Sequence, residues 1–161
     1  MQITLIYIGE TSEKFFSDAS EEYEKRLKRF CEFKAVCIKP EKLNDSGSVS
    51  QAMIDGALEA ESKRIVAAIP KGAYKIALCI EGKQLDTASF ASMLQEKSVT
   101  GVSKAVFIIG SSHGLANSVK KECDTLLSMS KMTFPHQLAR VMLTEQIYRA
   151  FNLTAGGKYH K

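Results

Sequence analysis

No apolar run in the sequence approaches the ~20 residues that a membrane span needs. The opening, Met1-Gln2-Ile3-Thr4-Leu5, lacks the basic region and small-residue cleavage site of a secretory signal. A cytoplasmic protein without membrane attachment is therefore expected. Proline is scarce, 3 in 161 residues, and the 10 glycines follow no period, which excludes collagen-like and Pro-rich disordered chains. The four cysteines, Cys31, Cys37, Cys79 and Cys123, form no Cys-x-x-Cys pair and have no histidine at metal-ligand spacing. Buried reduced thiols, and no metal, are the expectation. Neither Gly-x-Gly-x-x-Gly nor the P-loop pattern occurs, so ordinary dinucleotide and nucleotide sites lose their main support.

What is present is an ordinary globular composition, 45% hydrophobic and 25% charged. A chain of this size buries roughly 70% of the surface its unfolded form exposes, enough for one core without metal or disulfide staples. Residues 1–161 are read as a single domain. The net charge of +4 is unevenly placed. From Lys131 onward stand Lys131, Arg140, Arg149, Lys158 and Lys161 against one acid, Glu145, so the whole excess lies in the C-terminal stretch. That end would draw a polyanion, or it is simply a solvated basic tail.

Apolar runs with strand character alternate with helical periodicity. Strands are expected at Ile3 to Ile8, Phe33 to Ile38, Tyr74 to Ile80, Ala105 to Ile109 and Thr125 to Met129. Helices are expected after Thr11 or Ser12 as N-cap, from about Val49 to Ile69, around Phe90 to Gln95, near Asn117 to Glu122 and from Pro135 to Leu153. Gly82-Lys83 reads as a turn. The pattern predicts an α/β fold, a mostly parallel sheet with helices on both faces. In such sheets ligands bind beyond the carboxyl ends of the strands, here the loops after Ile80, Ile109 and Met129.

The glycine-rich turn Gly110-Ser111-Ser112-His113-Gly114 either lets backbone approach a ligand closely or is a tight connection. Ser112 beside His113 does not read as a nucleophile and its base, because sequence neighbours rarely form such a pair. On the last helix, His136, Arg140 and Thr144 share a face, with Glu145 and Arg149 as an i, i+4 pair on the other side. His136 is a candidate base or merely a cap or core histidine. The helix is otherwise apolar nearly all round and must be covered by the core or by another subunit. The tail Gly156-Gly157-Lys158-Tyr159-His160-Lys161 is either a frayed terminus or an arm whose tyrosine stacks on a base while its lysines meet phosphates.

Ser130-Lys131-Met132-Thr133-Phe134-Pro135-His136 with Arg140-Val141 and Glu145 to Ala150 resembles one family closely. Phe107 to Leu115, the opening Ile3 to Gly9 and the terminal Tyr159-His160-Lys161 extend the likeness over the whole chain. The family is that of the SPOUT methyltransferases acting on N3 of a pseudouridine in large-subunit (23S) ribosomal RNA. The resemblance implies a C-terminal trefoil knot, a homodimer, S-adenosyl-L-methionine as cofactor and assembled ribosomes as substrate. It further implies cofactor contacts at Leu78, Gly110 and Met129, Ser130, Lys131, Met132, Thr133 and Phe134. Under it, His136 or His160 would accept the N3 proton, Arg140 would steady negative charge, and Tyr159 and His160 would close over the base. Ser111 departs from the family, which usually carries a second glycine there. Two other readings stay open: a non-catalytic ribosome-binding factor that has lost transfer, and a flavodoxin-like small-molecule enzyme.

Overall fold

The computed structural model describes residues 1–43, 48–157 and Tyr159. Among these residues, strands and helices alternate: β1 (Gln2–Ile8), α1 (Lys14–Leu27), β2 (Glu32–Ile38), α2 (Gln51–Ala68), β3 (Tyr74–Gln84), α3 (Thr87–Val99), β4 (Lys104–Ile109), α4 (Asn117–Lys121), β5 (Thr125–Ser128) and α5 (His136–Thr154). The strands form one sheet in the order β2-β1-β4-β3-β5, and every pairing is parallel.

Strand side chains alternate between faces, and each face has its own core. Ile3, Leu5, Ile76, Phe107 and Ile109 pack with Leu27 of α1, Phe90 and Leu94 of α3, and Leu143 and Ile147 of α5. On the other face Ile6, Ile8, Ala77, Val106 and Ile108 meet Ile65 of α2 and Val119 of α4. The central strand β4 is buried from Ala105 to Ile109, which is why it reads as an unbroken apolar run.

Three local readings are corrected. Thr11 and Ser12 do not cap α1; Glu13 occupies that place without a side-chain bond. Their hydroxyls instead accept from Arg140 Nη1 at 2.9 Å and Gln137 Nε2 at 3.1 Å, so they tie the β1–α1 loop to α5. Gly82-Lys83 is not a turn. β3 continues through it to Gln84, with its register against β5 shifting between Leu78 and Lys83, so residues 79–82 bulge out of the ladder. The cysteines are free, but Cys37 is exposed and the other three are only half-buried. Burial still pushes the Cys31 and Cys123 thiols up to about 11.

Other caps follow the sequence. Ser50 Oγ accepts from Met53 N–H at 3.3 Å to start α2, and Asp86 accepts from Ser89 N–H at 2.7 Å to start α3. The Ser89 backbone bond holds the Asp86 carboxyl below its usual range. No helix among the described residues is long and apolar enough to cross a membrane.

Candidate active site

A cleft of about 540 Å³ opens at the carboxyl ends of β3, β4 and β5. Its walls are the β3 bulge (Leu78, Cys79, Ile80), the β4–α4 turn (Ile109 to Gly114), and the β5–α5 connection with the first turn of α5 (Ser128 to Ser130, Met132 to His136, Ala139). This is where the open-sheet rule puts a ligand, and the volume suits a cofactor-sized molecule.

Each wall has a local cause. Gly110 lies so close to the turn that a Cβ there would overlap the Gly114 carbonyl and stand 3.0 Å from Leu115 Cγ. The turn closes through Gly114 N–H donating to Ser111 C=O at 2.9 Å, with Gly114 at φ +86. Ser111, where the resembling family has glycine, needs no left-handed backbone: among the described residues only glycines have positive φ. The serine therefore carries no strain of that kind. The β5–α5 connection folds on its own side chains, Ser128 Oγ donating to Ser130 C=O at 2.9 Å and Met132 N–H donating to Ser130 Oγ at 3.0 Å.

As letters, Gly110 to Gly114 also satisfies the hydrolase string Gly-x-Ser-x-Gly. The geometry gives it no such role. Ser112 sits exposed in the connection from β4 to the short helix α4, and no hydrogen bond joins it to His113 or to another histidine among the described residues.

The residues singled out from the sequence divide sharply. Leu78, Gly110, Met129, Ser130, Met132, Thr133 and Phe134 line the cleft together, and His136 joins them. Lys131 faces away, into a shallow depression with Gln84 and Asp86. His136 opens α5 half-buried; its Nε2 lies 3.8 Å from where a Cβ on Gly9 would stand, and Gly9 has φ +85. A bare backbone at that position leaves the imidazole its room.

Arg140, one turn further, is not in the cleft wall. It is 8% exposed, donates through Nη1 to Thr11 Oγ1 and through Nη2 to Glu24 Oε1 at 2.9 Å, and lies 3.9 Å over the Tyr7 ring. Its two terminal nitrogens fix α5 against the β1–α1 loop and α1, while its buried Nε has no partner among the described residues. Replacing it by methionine leaves the Glu24 carboxylate, on a side chain 21% exposed, without its cation. Removing one partner of such a pair costs about 2–3 kcal/mol, discounted here for Glu24's exposure. For a chain this long that lowers the melting midpoint by about 5–10 °C. Adding Glu24→Gln should recover part of the loss in circular-dichroism melts; an unchanged midpoint for Arg140→Met would mean that the pair holds nothing.

Tyr159 stands at the far end of α5. Its ring meets Tyr148 edge-on at 4.9 Å, the Arg149 guanidinium lies 4.6 Å over it, and its N–H donates to Asn152 Oδ1 at 3.2 Å. The neighbouring Tyr23 hydroxyl, together with burial, pushes its own hydroxyl pKa up. Arg149 is bonded to Glu145, as the i, i+4 spacing predicted. From His136 to Asn152 the helix rises about 24 Å, and Tyr159, packed on the C-terminal half of α5, is not among the residues lining the cleft. Lys158, His160 and Lys161 lie outside the described residues.

The sequence missed Cys79, Ile80, Ser128, Pro135 and Ala139 as cleft residues. The available signal was Gly82, a glycine inside a β-run, which marks a bulge or close approach.

A second opening, about 590 Å³, adjoins the first and shares Ser128 and Met129 with it. Val141, Met142 and Leu143 of α5 line it with Leu85, Phe90 and Leu127, alongside the polar Asp86, Thr87, Glu145 and Gln146.

Comparison with known proteins agrees with this geometry. A family model described as "Predicted SPOUT methyltransferase" matches residues 1–160. Ribosomal RNA large subunit methyltransferase H of Streptococcus thermophilus is 44% identical over 161 residues, covering all of both chains. Its counterpart in Streptococcus pyogenes is 41% identical over the same span. Among solved structures, a probable methyltransferase from Bordetella pertussis superposes with TM-score 0.59 at 14% identity, covering 93% of this chain and 96% of that one. A probable methylase family protein from Haemophilus influenzae gives 0.57 at 18%, covering 99% and 70%. Those two likenesses concern the fold; the full-length family match decides membership, and the chain belongs to the SPOUT methyltransferase family.

Proposed function

We propose that the protein methylates N3 of a pseudouridine in large-subunit ribosomal RNA, with S-adenosyl-L-methionine as donor and the assembled, cytoplasmic ribosome as substrate. The observation that carries this reading is the convergence of Leu78, Gly110, Met129, Ser130, Met132, Thr133 and Phe134 on one cleft that also holds His136. The relatives' printed names give the substrate class. The residues fit the cofactor: glycine at 110 lets the β4–α4 turn fold tightly against Gly114 and Leu115 to form one wall, and the cleft is large enough. When bound, the cofactor supplies an electrophilic methyl on a sulfonium.

The chain's own residues then have three tasks. The Gly110 turn and the Met129–Phe134 segment hold and orient the donor and exclude water. His136 accepts the N3 imide proton as the new bond forms, from the open end of α5. Arg140 acts as a positioning residue, since its buried guanidinium is engaged by Glu24 and Thr11. Lys131, turned outward, meets phosphate rather than cofactor.

The protein acts as a homodimer. The cleft along Val141 and Met142 is a surface that a second copy covers. The tail, with His160, serves the partner's site in this reading, since Tyr159 packs on Tyr148, Arg149 and Asn152 of its own α5 and not at the His136 end that lines the cleft. The family's trefoil knot belongs to the same proposal; it is supported by the return of the chain from β5 at the sheet edge to α5, packed on both α1 and α3. The residues act as one unit spanning 1–161.

His136→Ala should keep cofactor binding and lose about a hundred- to ten-thousand-fold in single-turnover rate, the range for a general base. Mixed with a variant lacking residues 159–161, it should regain activity, because each mixed dimer holds one site with His136 and a partner's tail. A wild-type rate across pH would remove His136 from the role. No recovery on mixing would put the tail in its own subunit's site.

A further inference from the structure

Six large hydrophobic side chains are exposed among the described residues: Phe15, Met53, Val66, Ile80, Val99 and Met132. Their placement is uneven. Val66 and Val99 lie toward the ends of α2 and α3, on the side of the sheet remote from the cleft. Ile80 and Met132 border the cleft itself, and Phe15 and Met53 stand on the first turns of α1 and α2, which start from the carboxyl ends of β1 and β2. Phe15 is the aromatic member of the set and is 62% exposed.

The position of Phe15 is fixed from below. The loop that leads to it is bonded to α5 at two points, Ser12 to Gln137 and Thr11 to Arg140, on the same two helical turns that carry His136. Its ring rests against Phe16, centroids 4.3 Å apart, with Phe16 half-buried beneath. The contact with Phe16 uses only one side of the ring, and its outer face is left in water. Lys39, Lys42 and Lys131 are exposed on loops at the same ends of the strands, whereas Glu10, Glu13 and the Lys14–Asp18 pair flank Phe15 in the chain, so the stacking face itself and not local charge is what Phe15 offers. Unpaired RNA bases are held by stacking on such rings, which is tolerant of sequence and needs only a π-face.

We infer that Phe15 is a stacking platform for an unpaired base of the RNA substrate next to the base that enters the cleft. The inference rests on the proposed rRNA substrate. It adds a positioning residue outside the cofactor site: stacking there sets how the strand lies across the cleft mouth and presents the neighbouring nucleotide to His136.

The test is methyl transfer to unmodified ribosomes by wild type, Phe15→Ala, Phe15→Leu and Phe15→Trp. Loss of one base stack corresponds to about a ten- to hundred-fold effect. It should appear as a higher KM for ribosomes in Phe15→Ala and Phe15→Leu, with cofactor affinity, melting midpoint and dimer mass unchanged. Phe15→Trp should restore wild-type KM. If Phe15→Leu matches wild type, the contact is apolar packing and stacking is overturned; if Phe15→Ala matches it, Phe15 touches no substrate. Transfer by wild type in the same assay separates these failures from failure of the rRNA reading, in which no variant would transfer at all.

Discussion

Gly110→Ala should abolish measurable cofactor binding. An added Cβ has no free direction: it overlaps the Gly114 carbonyl and presses on Leu115, a residue 4% exposed in the core beneath α2 and α4. The backbone of the turn must open, and overpacking of this kind costs roughly 1–3 kcal/mol in stability. The turn is also a wall of the cleft, so its displacement removes the surface that the donor needs. Calorimetric titration with S-adenosyl-L-methionine should give no heat with the variant under conditions that saturate wild type. Melting should give a midpoint lowered by several degrees. Wild-type affinity would mean that the turn relaxes freely and does not shape the site.

The second large effect is expected at Gly82. A Cβ there would stand 2.6 to 2.7 Å from three backbone atoms of Leu126 and Leu127. Backbone of a neighbouring strand cannot swing aside as a side chain can, so Gly82→Ala drives β3 from β5 at the register shift. β5 is an edge strand, and among the described residues β3 is its only strand partner. Expected are a loss of about 2–3 kcal/mol and a fall of about 5–10 °C in midpoint, together with weaker cofactor binding, since Met129 to Phe134 hang from the end of β5. Gly56→Ala is the control of opposite sign. Gly56 lies inside α2 with nothing within 4 Å of its would-be Cβ, and alanine there should stabilise by up to ~1 kcal/mol. Equal midpoints for the two variants would contradict the close approach at Gly82.

These two glycines also mark what sequence reading can and cannot reach. The alternation of strands and helices was legible because period-2 and 3.6-residue patterns are local. It led directly to a parallel sheet, to its strand ends and so to the cleft. Gly82 was misread as a turn because its partner, the Leu127 backbone, lies 45 residues away, and a glycine in a short apolar run looks the same whether it ends a strand or admits a neighbour. Thr11 and Ser12 have the composition of a cap, yet their partners are on α5, 129 and 125 residues along. Helical winding correctly put His136 and Arg140 on one face. That Arg140 is drawn inward to Glu24 while His136 borders the cleft depends on how α1 and α5 pack, which no winding diagram contains. The cofactor positions came from resemblance rather than from spacing; their meeting in one cleft is a separate, geometric fact.

The same geometry sets apart the rival readings. A ribosome-binding factor without transfer needs no open cofactor cleft, and Ser111, the feature that favoured it, is free of backbone strain. A flavodoxin-like enzyme gives no reason for the full-length match to the SPOUT family.

The measurement that tests the central claim most directly is transfer of labelled methyl from S-adenosyl-L-methionine to ribosomes lacking the modification, with free ribosomal RNA in parallel and mass spectrometry of the nucleosides. The account predicts one product, pseudouridine methylated at N3, on ribosomes and not on free RNA. Cofactor binding with no methylation of either substrate would contradict it and return the protein to the class of ribosome-binding factors.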